Sequence, residues 1–174
     1  VIQINLHKAK LANKGLDTFC NNGSYVFCVQ EPYLFRDKLN YAPNNLQKLY
    51  KADTEARAAI LMHRDLPLWF AEQFSTRDMA VAVLKSKKKL ILIVSLYCDH
   101  SKDEVVPNEL YTLLQYLEDC EFKGGLLICA DSNAWSTLWG SESTNARGEK
   151  LEEFILVHDF IVENTGHKPT FCGR

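Results

Sequence analysis

Apolar and polar side chains alternate over residues 1–6, the pattern of a strand that buries one face. Ala9, Ala12, Leu16, Phe19 and Cys20 then recur at helical spacing. A short apolar run over residues 25–29 predicts a second strand, which delivers Gln30, Glu31 and Pro32 at its C-terminal end. Residues 59–62, Leu68–Phe70, 79–84 and Leu90–Tyr97 read as further strands, with the polar stretch 85–89 turning one into the next. Pro107 stands where a first helical turn tolerates it, and Leu110, Leu113, Leu114 and Leu117 form an apolar stripe behind it. Gly124 and Gly125 break that pattern. Residues 126–130 then make what reads as the most buried strand of the chain. After a loop over residues 131–145, Leu151, Phe154 and Ile155 mark another helix, and residues 160–162 a last short strand. Strands outnumber helices and several are hairpin-linked, so an α/β sandwich with helices outside two packed sheets fits better than a purely βαβ design.

Composition changes this picture little. A hydrophobic fraction of 47% and a charged fraction of 24% in 174 residues suit a single globular domain. The net charge of -2 gives no electrostatic footprint for nucleic acid, although a metal-dependent nuclease must carry carboxylates at its scissile phosphate. Of six cysteines (Cys20, Cys28, Cys98, Cys120, Cys129 and Cys172), none forms a CxxC pair or has companion histidines at zinc spacing. Cys28, Cys98 and Cys129 lie in apolar runs and are expected as buried free thiols, which suits a reducing compartment. No stretch approaches the ~20 apolar residues of a membrane span, so no membrane partner is expected.

Candidate chemistry gathers where strands end. Asn5 with His7, Glu31 in VQEPY, Tyr97 in SLYCDH, and Asp131 with Asn133 in ADSNAW each follow an apolar run that ought to be buried. Strands of one sandwich aim such residues into one cleft, and carboxylate and amide oxygens there suit a hard cation beside a phosphate. Singly, each has a plainer reading. Glu31 alone is a solvated strand end, Tyr97 alone a packing residue, and Asp131–Ser132–Asn133 alone an Asx-rich turn.

Together these residues resemble the endonuclease/exonuclease/phosphatase superfamily, and within it the apurinic-endonuclease-like domains of non-LTR retrotransposons. INLHKAK with Asn5 is similar to the family's opening strand, Gln30–Glu31–Pro32 to its metal-binding Q-E-P, Tyr97 to its phosphate-contacting tyrosine, and Asp131 with Asn133 to its D-x-N motif. DSNAWSTLWGS, TNARGE and Lys168–Pro169–Thr170–Phe171 resemble the retrotransposon branch in particular. The resemblance implies a DNase-like four-layer α/β/β/α sandwich. It implies nicking of duplex DNA with a 3′ hydroxyl left to prime reverse transcription, on a polypeptide that also carries a reverse transcriptase and acts in the nucleus. Glu31, with Asn5 beside it, would hold Mg²⁺ or Mn²⁺. Asp131 would orient or deprotonate the attacking water, and Asn133 and Tyr97 would donate to phosphate oxygens. His7, Arg147 and Trp135 are candidate DNA contacts, with core packing weighed equally for Trp135 and a loop-internal structural role for Arg147.

The family's final Asp strand and terminal Asp–His pair have no counterpart before Arg174. Residues 1–174 are therefore expected to be one endonuclease-like domain incomplete at its C-terminus, lacking the last strands and inactive by itself. Asp99–His100 imitates the missing pair but precedes the D-x-N motif, and reads as a polar loop. Two alternatives remain open: another phosphodiesterase of the superfamily, and a truncated or decayed non-catalytic copy.

Overall fold

The computed structural model describes residues 1–87 and 89–164, without the side chains of residues 20–22. The Lys168–Pro169–Thr170–Phe171 motif, His167, Cys172, Lys88 and the Cys20 side chain lie outside the described residues. The chain forms two compact units. The first contains Val1–Tyr97 and Asn108–Asp131, the second Cys98–Pro107 and the described residues from Ser132 on.

Two four-stranded sheets build the first unit. One has β1 (Ile2–Asn5), β2 (Val26–Gln30), β3 (Leu46–Leu49) and β4 (Ala58–His63) in the order β1-β2-β4-β3. The other has β5 (Leu68–Phe70), β6 (Met79–Lys85), β7 (Leu90–Tyr97) and β8 (Gly125–Asp131) in sequence order. Val26, Cys28, Ile60 and Met62 of the first sheet meet Ala80, Ala82 and Ile93 of the second in a core between them. The alternate residues Phe27, Val29, Ala59 and Leu61 point the other way and pack under Leu6, Leu16 and Leu39. Strands buried on both faces read as unbroken apolar runs, which is why β2, β4 and β6 stand out in the sequence. Helix α2 (Asn108–Asp119) inserts Leu110 and Leu113, one side of the expected stripe. The second unit contains helix α3 (Ala146–Val157).

Three expectations need correction, and one strand, β3, was not expected at all. The helix expected over residues 9–20 is α1 (Lys10–Gly15) followed by a 3-10 segment, Leu16–Asn22. No side chain caps α1, and it ends on a glycine, a poor helix former. Strand β3 has no alternation to betray it, since its two leucines sit three apart on opposite faces of an edge strand. The strand expected to be most buried, β8, is only half-buried, with Ala130 exposed. Among the described residues it pairs on one side only, so one flank lacks cover. Residues 160–162 form no ladder among the described residues. The Phe160 ring packs instead on Phe154 and His158, and Ile161 is 84% exposed. Cys28 and Cys98 are buried free thiols as expected, while Cys129 is half-buried. A hydrogen bond with Cys129, together with burial, pushes the Cys28 thiol upward and keeps it protonated.

Candidate active site

Parallel pairing decides where the polar residues arrive. β1 runs parallel to β2 with Asn5 opposite Gln30, and β7 runs parallel to β8 with Tyr97 opposite Asp131. The first pairing carries Asn5 and Glu31 to one end of its sheet together. Asn5 Nδ2 donates to Glu31 Oε2 at 3.0 Å and, in a short contact, to Asp131 Oδ2. Asn5, Glu31 and Asp131 therefore meet, although 126 residues separate the first from the last.

The orientation of the Asn5 amide is decided by its other partner. The His7 backbone N–H, which can only donate, approaches Asn5 Oδ1 at 2.8 Å, so the amide nitrogen must face the carboxylates. Asn5, expected beside Glu31 at a metal, bridges the two carboxylates with its amide nitrogen and so offsets their repulsion. His7 Nδ1 lies 3.6 Å from Glu31 Oε2, with the imidazole 55% exposed and the Glu31 side chain 19%.

Glu31 itself has φ 47°, and His7 and Lys8 share that left-handed region. Such a conformation costs a β-bearing residue about 1–3 kcal/mol and persists only where its surroundings over-determine it. Here they do. Glu31 N–H donates to Arg57 O at 2.8 Å, and Glu31 O accepts from Lys8 N–H at 2.7 Å. Just beyond, the buried Asn13 amide donates to Tyr33 O and accepts Tyr33 N–H, each at 3.0 Å. These bonds hold the backbone turn at Glu31.

Beneath this rim lies a polar crossbar that sequence reasoning missed. Gln30 is fully buried, and its Nε2 donates to Ser95 Oγ of β7 at 2.9 Å and to Cys129 O of β8 at 3.1 Å. Its Oε1 accepts from Gln3 of β1 at 2.7 Å, and Ser95 Oγ donates back to Val29 O at 3.0 Å. One residue before Glu31 and two before Asp131, the two sheets are thus tied by hydrogen bonds. The available signal was the pair of polar letters, Gln30 and Ser95, inside otherwise apolar strands.

Arg57 and Asp78 were missed as well. Arg57 Nε and Nη2 donate to the two oxygens of Asp78 at 2.5 and 2.6 Å, and the guanidinium lies 4.5 Å from the Tyr97 ring centroid. Burial alone would raise the Asp78 carboxyl. The hydrogen bonds and charge of Arg57, with those of Arg77, outweigh it and hold the carboxyl below its ordinary value of 3.8. Because folding lowers this pKa, the pair contributes stability above that ordinary value and loses it as pH falls through the depressed one. Urea unfolding should find Asp78→Asn less stable than wild type at neutral pH, with the gap closing on acidification below about pH 4. A gap undiminished at about pH 2 contradicts the ion-pair account.

In the second unit, Asn133 is also left-handed at φ 47°, and its Nδ2 donates to Cys98 O at 3.0 Å. Arg147 donates to Asn133 O at 3.2 Å, Lys102 O at 2.7 Å and Asp99 O at 3.3 Å. Of the two roles weighed for Arg147, the geometry favours the structural one. It latches two loops by their carbonyls rather than by a salt bridge, with three of its five N–H groups. Asn145 caps α3, accepting from Gly148 N–H at 2.8 Å, and Gly148 is pressed so close that a Cβ would lie 1.8 Å from Trp135 O. That close approach accounts for the glycine of TNARGE. Trp135 is 62% exposed, against a core-packing role, whereas Trp139 is half-buried and donates Nε1–H to Ala134 O at 3.1 Å. Asp99 Oδ1 accepts from Ser101 N–H and Oγ–H, as expected for a polar loop.

Residues 91–174 match a family model described as endonuclease-reverse transcriptase. No curated protein matches the chain. Twelve chains of solved structures do. Among them is the endonuclease domain of TRAS1, a telomere-specific non-LTR retrotransposon, 27% identical, with a TM-score of 0.76 over 97% of this chain and 74% of that one. The two-sheet α/β architecture is the DNase-like endonuclease fold.

Proposed function

We propose that this chain, which in motif and fold is of the non-LTR retrotransposon endonuclease type, hydrolyses one phosphodiester of duplex DNA and leaves a 3′ hydroxyl that primes reverse transcription. The observation that supports this best is the meeting of Glu31 and Asp131 on the Asn5 amide, at the ends of strands from different sheets. The same reading takes residues 1–174 as a single endonuclease domain, with a reverse transcriptase on the natural polypeptide and action in the nucleus.

The donor set suits a magnesium or manganese ion held loosely. Among the described residues no group of three or more His, Cys, Asp or Glu is arranged to hold a metal. Two carboxylates are nevertheless what Mg²⁺ commonly takes from a protein, with waters and substrate phosphate completing its shell. Glu31 and Asp131 are the oxygens offered. Bound there, the ion would neutralise charge developing on the phosphate and the leaving oxygen. Asn5 holds the two carboxylates in mutual register. Asp131 accepts a hydrogen bond from the attacking water, which orients it and, on full transfer, deprotonates it. Tyr97 donates to a phosphate oxygen; in the second unit, Asn133 is read as a phosphate donor and the exposed Trp135 ring as a face for DNA contact. His7, beside Glu31 and largely exposed, stands at the rim for a backbone phosphate.

Supercoiled plasmid incubated with Mg²⁺ and the natural polypeptide that carries this domain should become open-circular, and the nicks should support extension by a DNA polymerase without prior end repair. EDTA should stop the reaction. Nicks that need a phosphatase before extension would contradict the 3′ hydroxyl, and turnover of a phosphomonoester or lipid phosphate in place of DNA would move the chain to another branch of the superfamily. The described residues contain no helix long and apolar enough to cross a membrane.

A further inference from the structure

Arg57 connects the two halves of the catalytic proposal in the first unit. Its carbonyl accepts the Glu31 N–H that helps hold the left-handed turn, while its own N–H donates to Arg77 O at 2.7 Å. Its guanidinium is gripped along one edge by both oxygens of Asp78, and Arg77 Nε adds a contact to the same carboxylate at 3.2 Å. The backbone closes the arrangement, since Tyr97 N–H donates to Asp78 O at 2.8 Å. The central carbon of the guanidinium then lies over the Tyr97 ring, 4.5 Å from its centroid, with Arg57 and Asp78 side chains each only 15% exposed.

A planar cation held at two points cannot rotate away from the ring it covers. One edge of it is held by both oxygens of Asp78, so it is poorly placed to reach out to a phosphate. Its geometry restrains Tyr97 instead. A phenol ring retains its own torsional freedom even on a rigid strand, and a hydroxyl serving a phosphate must stand within a few tenths of an ångström of its target.

We propose that Arg57, clamped by Asp78, is a positioning residue for strand cleavage, holding the Tyr97 ring so that its hydroxyl meets the scissile phosphate. This rests on the reading of Tyr97 as a phosphate donor. It predicts that Arg57 acts through Tyr97 and through nothing else in the chemistry. It also predicts a requirement for a flat, bidentate cation, which lysine does not satisfy.

The test is a double-mutant cycle on nicking of a duplex oligonucleotide, with kcat and KM measured separately and DNA affinity measured in EDTA. Arg57→Met is expected to lower kcat about 10-fold with KM little changed, to match Tyr97→Phe, and to add almost nothing to it in the double variant. Arg57→Lys should restore only a minor part of the loss. To avoid leaving Asp78 buried without a partner, the cycle is repeated with Arg57→Gln/Asp78→Asn, which removes both charges and keeps a hydrogen-bonded pair. The two cycles should agree, at temperatures well below each variant's melting point. If the Arg57 loss multiplies that of Tyr97→Phe in the foldable double-substituted background, Arg57 does not act through Tyr97 and the inference fails while the Tyr97 role stands. If Tyr97→Phe nicks and binds like wild type, the phosphate role of Tyr97 fails first and takes the inference with it.

Discussion

Replacing Glu31 by Gln or Asp131 by Asn should lower plasmid nicking by about 10²–10⁴-fold, the range expected when a group that handles proton transfer or binds the charge-stabilising ion is lost. Folding should survive both changes, and each variant should melt at or above the wild-type temperature. The reason is electrostatic. Two half-buried carboxylates share the single amide of Asn5, so neutralising either one relieves repulsion that this amide only partly offsets. A functional site is often where a protein tolerates such unfavourable proximity, and its removal then stabilises while it inactivates. Nicking assays paired with thermal melts give both readouts. A variant that loses its fold along with its activity would show that these carboxylates serve structure. A variant that nicks as wild type would remove its residue from the proposed chemistry. Asn5→Ala separates the positions further. It leaves both charges in place without their bridge, so it should destabilise the chain and weaken nicking together.

Truncating Gln30 to Ala should be the most destabilising single change near the site, at about 3–5 kcal/mol. Gln30 is fully buried and bonded to Gln3, Ser95 and the Cys129 carbonyl, so truncation opens a cavity and strands several polar groups without water. Gln30→Leu fills the space but not the bonds, and should fall between Ala and wild type. Because the crossbar ties the strands that carry Glu31 and Asp131, both variants should also lose nicking at temperatures where they remain folded. Denaturant unfolding followed by circular dichroism measures the first effect. A loss below ~1 kcal/mol for Gln30→Ala would mean that the sheets are held in register by packing alone.

What the sequence determined by itself was local. Among the described residues, seven of the eight strands and the cores of the three helices are visible as apolar periodicity, because burial of one face of a strand or helix leaves its mark within a few neighbouring residues. The positions of Asn5, Glu31, Tyr97 and Asp131 at strand ends follow from the same pattern, and the motif around them carries the likeness to retrotransposon endonucleases. Tertiary structure alone decided how those ends are used. The Asn5 amide faces two carboxylates, one of them 126 residues away, because a backbone N–H takes its oxygen. Gln30 becomes a crossbar only when β7 and β8 arrive above it, and Arg57 and Asp78, 21 residues apart in separate strand-leading loops, find each other only when the two sheets stack. β3 and the flank of β8 that has no partner among the described residues depend likewise on their place in the sheet, which no run of letters encodes. Periodicity records whether a side chain is buried. Which partner it meets there depends on strand order and sheet packing, and those arise from contacts between segments far apart in the chain.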